Sequence, residues 1–142
     1  MFRPGGQAGT VPVVQILAAL FIESIDVRQV EGPSTRLDLT GAHFSAVAPQ
    51  EPPLTWAPHL VVIVHRPAEH DATAALEVIY RRDGEQIARN VQLLEVEPGR
   101  FTYRLVRGEL DFDDYGTIEA HCRLDDGPVT VVPFTLLEPA GG

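Results

Sequence analysis

The chain has 142 residues, enough for one domain that buries roughly two-thirds of the surface its unfolded form exposes, so no disulfide or metal staple is needed to hold a core. Eleven basic against twenty acidic residues leave a net charge of -9, which repels phosphate backbones and anionic lipid and so excludes nucleic acid and membrane surfaces as partners. The one cysteine, Cys122, excludes an internal disulfide and, with no convincing leader, points to the cytoplasm.

Residues 1–11, MFRPGGQAGTV, carry turn residues without periodicity and are expected to be a flexible tail, as are residues 139–142. A single domain is expected over 12–138. The apolar run from Val13 to Ile22 is too short to span a bilayer. It is followed by Glu23-Ser24-Ile25-Asp26 rather than a small-residue cleavage site, so it is expected to be a buried first strand and not a secretory signal. RLDLTGAHF supplies Leu37 and Leu39 to a strand, with Gly41 a candidate bulge. A link stiffened by Pro52, Pro53 and Pro58 leads to HLVVIVHR, residues 59–66, whose continuously apolar middle predicts a central strand covered on both faces.

ALEVIYRRDGEQI alternates at Leu76, Val78 and Tyr80 and then reaches Asp83-Gly84, a pair suited to a two-residue hairpin turn. QIARNVQLLEV places Ile87, Val91 and Leu94 at helical spacing and Val91 and Leu93 at strand spacing, and the strand is favoured. RFTYRL alternates at Phe101, Tyr103 and Leu105. GTIEAHCRLDDG sets Ile118, Ala120, Cys122 and Leu124 to one side and Thr117, Glu119, His121 and Arg123 to the other. PVTVVPFTLL shifts phase around Val132-Pro133, the mark of an edge strand or a bulge.

About eight short strands separated by Gly, Pro and Asp turns imply an all-β fold, a two-sheet antiparallel β-sandwich of immunoglobulin-like or C2-like type. The disulfide-bearing immunoglobulin form is excluded by the single cysteine. The succession ILAALFI, RLDLTGAHF, HLVVIVHRP, RRDGEQI and YGTIEAHCRLDDGPVTVVPFTL, over residues 14–137, resembles a family of uncharacterised bacterial β-sandwich proteins classed as a domain of unknown function. The resemblance implies the sandwich and carries over no activity. Ile118 stands where that family would place an aromatic.

The densest chemistry lies in GELDFDDYG, residues 108–116. Glu109, Asp111 and Asp113 alternate, which in extended chain puts their carboxylates on one side, as cation-binding loops of C2-like domains require. Asp125 and Asp126 cannot join them, because the intervening strand separates the two groups by roughly 25 to 30 Å. If each later segment is a single strand, loops 49–58, 83–85 and 107–115 share one pole. There Glu51, Asp83 and Glu85 would join Asp111, Asp113 and Asp114, with Trp56 beside them to stack on a sugar. Trp56, Asp83, Asp111, Asp113 and Asp114 are therefore the candidate ligand residues, and the four acids are the candidate calcium ligands. The competing reading is favoured: acids and glycine before a strand are ordinary turn chemistry, and Trp56 plugs one end of the sandwich.

Other constellations are weaker. Pro67 interrupts His65, His70 and Asp71, so they lack the one-face spacing of a metal pair. His43, His59 and His121 are expected to be solvated. Ser24, Ser34 and Ser45 lack a nucleophile-elbow context, Cys122 points inward, and no phosphate-loop, dinucleotide or zinc-protease motif occurs. The expectation is a non-catalytic module that binds a protein partner or forms a homo-oligomer, without a cofactor unless calcium. A calcium- or carbohydrate-binding module is the alternative, and a hydrolase with a carboxylate pair the third reading.

Overall fold

A computed structural model describes residues 14–29, 35–67, 73–97 and 99–140. The expected tail over 1–11, together with Ser34, His70 and Asp71, lies outside them. The described chain runs β1 (Gln15–Ile22), β2 (Ser24–Gln29), β3 (Thr35–Thr40), β4 (Ser45–Val47), β5 (Leu54–Trp56), β6 (His59–His65), β7 (Thr73–Arg82), β8 (Glu85–Glu95), β9 (Phe101–Arg107), β10 (Leu110–Phe112), β11 (Gly116–Leu124) and β12 (Thr130–Leu137). No helix is found among the described residues, hence none long and apolar enough to cross a membrane.

Two sheets face each other. One is five-stranded in the order β4-β12-β11-β7-β8, the other three-stranded in the order β1-β6-β9, and β2-β3 and β5-β10 form separate antiparallel pairs. Every pairing is antiparallel except β4 with β12. Period-two alternation builds the interior: Phe21, Leu60, Val62 and Val106 from the smaller sheet meet Val78, Tyr80, Ile118, Ala120, Phe134 and Leu136 from the larger one. Each large apolar side chain taken fully out of water contributes about 1.5 to 3 kcal/mol. Phe21 and Phe134 meet edge to face across the interior at 5.1 Å.

Most local expectations hold. The inward set Ile118, Ala120, Cys122 and Leu124 is buried, β6 is the middle strand of its sheet, and residues 86–94 are strand within β8. Asp83 and Gly84 take φ of 50° and 81°, the two left-handed residues that a tight hairpin turn between β7 and β8 needs. The sandwich nevertheless has twelve strands among the described residues rather than about eight. The strands not foreseen include β4, β5 and β10, each of three residues, too short to display an alternating pattern.

Three expectations are corrected. Phe101, Tyr103 and Leu105 do share a face, but it is the outer one, since Val106 is the residue of β9 that is buried in the core. Likewise the apolar residue of β8 that is buried in the core is Leu94, not Val91 or Leu93: Val91 is 46% and Leu93 79% exposed. In β12 there is no phase shift, because Val132, Phe134 and Leu136 all point inward and the register with β11 is unbroken. Pro133 is accommodated because β4 pairs only with Thr135, Leu136 and Leu137, leaving β12 with a single neighbour at the proline.

Candidate functional site

The pole expected from strand parity is assembled. β5 pairs with β10, bringing Trp56 opposite Leu110 and Thr55 opposite Asp111, and the β7-β8 hairpin reaches the same end through Arg82. Beyond that pairing and the buried Leu110 and Phe112, the end of the 108–116 segment is held by that arginine. Its guanidinium donates from Nη1 to the Asp114 carbonyl at 2.9 Å and from Nη2 to the Tyr115 carbonyl at 2.6 Å, and lies 5.6 Å from the Phe112 ring centroid. Glycine brackets the segment for physical reasons. At Gly116, φ is 137° and a Cβ would fall 2.8 Å from Arg82 Nη2, while at Gly108 a Cβ would fall 2.8 Å from the buried Tyr80 ring.

The candidate acids have local work. Asp111 Oδ1 accepts from Thr55 Oγ1 at 2.9 Å, Asp114 Oδ1 accepts from the Tyr115 backbone N–H at 2.8 Å, Asp83 forms the hairpin turn, and Asp113 is exposed. Among the described residues no three His, Cys, Asp or Glu side chains gather closely enough to hold a metal ion. Negative charge does collect around Tyr115, whose phenol is pushed up first by burial and then by Glu138, Glu51 and Asp114. With its carboxylates dispersed among turn and strand bonds, this pole is expected to leave the melting temperature unchanged between millimolar calcium and EDTA. A calcium-dependent rise in a thermal melt would show instead that the carboxylates converge on an ion.

Trp56 is half-buried, with its indole stacked on Phe134 at 6.1 Å and 30° and its Nε1 buried without a hydrogen-bond acceptor among the described residues. It closes the end of the core. His43 is also drawn in, edge to face with Phe134 at 5.2 Å, which corrects the expectation that it is solvated: strand-end position says nothing of the ring that waits across the sheet. His121 Nε2 lies 3.1 Å from Glu119 Oε1 on the outer face.

Two features were not foreseen. On the outer face of the larger sheet Glu77 is gripped by Arg89 Nε at 2.8 Å and by Arg123 Nε at 3.0 Å, and this pairing holds its carboxyl below the usual carboxylate range. The alternation places Arg123 on that face, but only the strand register sets Glu77 opposite it. At the other pole a cleft of about 490 Å³ opens between Val14, Ile16 and the 124–128 turn. Asp125, at φ 50°, is committed there to a two-bond clasp with Ala75: its N–H donates to the Ala75 carbonyl and its Oδ1 accepts from the Ala75 N–H.

Cys122 faces the interior, fully buried, and burial pushes its thiol up to about 12. A thiol-reactive dye is expected to label it only as fast as the protein unfolds, so labelling should follow the denaturant curve. Rapid labelling under native conditions would place the thiol in a reactive, accessible setting. The chain matches no known family model and no curated protein sequence.

Proposed function

We propose that this is a non-catalytic β-sandwich module that acts, in the cytoplasm, by binding a protein partner or by assembling with itself. The observation that supports this reading is the outer face of the three-stranded sheet. Leu20, Val61 and Leu105 form one row across β1, β6 and β9, and Ala18, Ile63 and Tyr103 form the next. Phe101, on the same face of β9, is 61% exposed and Leu105 is 39% exposed. Val61, at the centre of the first row, is itself 1% exposed, so the apolar surface left in water lies at β9, around Phe101 and Leu105, and supports docking there because each Å² of apolar area left in water forgoes about 25 cal/mol.

The test compares the wild type with the Phe101→Asp, Leu105→Asp double variant. The wild type should retain a stoichiometric complex, with itself or with a host protein, that the variant loses while keeping its melting temperature. A wild type that stays monomeric and retains no protein that the variant loses would remove the reading.

A further inference from the structure

Among the described residues β8 is the longest strand and is an open edge of the five-stranded sheet. Open edges are ordinarily guarded against pairing with another chain by extreme shortness, a bulge, proline, charged side chains (lysine above all), or an inward-pointing charge. The other edges of the two main sheets are guarded. β4 has three residues, β1 has a bulge between Ile16 and Ala18, and β9 sets Arg104 opposite the core residue Val62, on the inward side. From Ala88 to Leu94 β8 has no proline, lysine or inward-pointing charge: its inward residues are Ala88, Asn90, Gln92 and Leu94, its one charge, Arg89, stands on the outer face, and the one irregularity in its pairing lies back at Tyr80/Arg81, beside the turn.

Resting on the interaction-module reading, we propose that β8 pairs antiparallel with β8 of a second copy about a two-fold axis at Gln92, joining two five-stranded sheets into one of ten. A continuous sheet needs residues of the same face opposite one another, so each possible axis passes through a residue and can be judged by what it matches. With the axis at Gln92, Val91 stands opposite Leu93 of the other copy, and the reverse. Arg89 stands opposite Glu95, and the reverse. Two exposed apolar pairs are thus covered and bracketed by two opposite-charge pairs, all on the outer face. Glu95 makes no ion pair among the described residues, and Arg89 holds Glu77 through Nε and Nη2, leaving Nη1 free to reach across. An axis at Asn90 would set Glu85 against Glu95 and Arg89 against Val91, and one at Leu94 would set Leu93 against Glu95 and Val91 against Glu97. Gln92 is the axis at which both charge and apolar surface are self-complementary.

Sedimentation equilibrium of the full chain tests this. The wild type is expected to dimerise at micromolar concentration. Leu93→Lys, at a position exposed enough to spare the fold, and Glu95→Arg, which sets two arginines against each other at both ends, should each weaken the dimer at least about tenfold. The Arg89→Glu, Glu95→Arg double variant restores opposite charges in this register alone and should recover most of the lost affinity. A wild type that remains monomeric overturns the β8 pairing. So does a dimer indifferent to Leu93→Lys, or a double variant as weak as Glu95→Arg. Because the Phe101 and Leu105 comparison concerns the other sheet, the interaction-module reading survives or fails separately.

Discussion

Phe134→Ala should lower the melting temperature by roughly 10 to 20 °C, corresponding to a loss of about 3 to 5 kcal/mol. Phe134 is fully buried and its ring is the meeting point of three others: Phe21 from the facing sheet, His43 from the loop before β4, and Trp56 from β5. Truncation removes the transfer free energy of the ring, leaves a cavity that rigid strands cannot close, and forfeits the ring-edge contacts. Trp56 is the one tryptophan in the chain, so the same variant should shift its fluorescence toward that of solvated indole. Phe134→Leu, which fills most of the volume, should lose less than half as much. A drop under about 1 kcal/mol for the alanine variant would mean that the two sheets are not clamped at this ring.

Arg82→Ala should cost about 2 to 3 kcal/mol in denaturant unfolding and speed amide hydrogen exchange around Asp114 to Gly116. Two charge-assisted hydrogen bonds to adjacent carbonyls and the face of Phe112 depend on a planar fork at that point. Arg82→Lys is the informative companion. An ammonium is a point donor that neither spans two neighbouring carbonyls nor stacks, so lysine should recover less than half of the loss. Full recovery by lysine would show that charge alone holds the 108–116 segment. These two variants probe different levels of the fold, the shared interior and one loop at its end, and should be close to additive.

The stretch GELDFDDYG shows how far reading from local pattern reaches. Its acids are turn and strand residues, as their proximity to glycine and a following strand suggested, and the pole to which they belong follows from counting strands. The residue that organises the stretch is nevertheless Arg82, more than 30 residues earlier, acting on carbonyl groups that look alike in every sequence. The same limit applies to β9 and β8. Alternation sorts Phe101, Tyr103 and Leu105 from Thr102, Arg104 and Val106, but both sets contain apolar residues, and period two carries no sign that says which side is inside.

What the sequence determined by itself was therefore short-range or compositional: strand periodicity, the left-handed Asp83-Gly84 turn, the inward Cys122 row and the exclusion of an internal disulfide. Tertiary structure decided the rest. Which face of β9 and β8 meets water, where three-residue strands find partners, how Phe134 gathers His43 and Trp56, and which edge is left unguarded all depend on contacts between residues far apart in the chain, whose energies appear only when the two sheets close on each other.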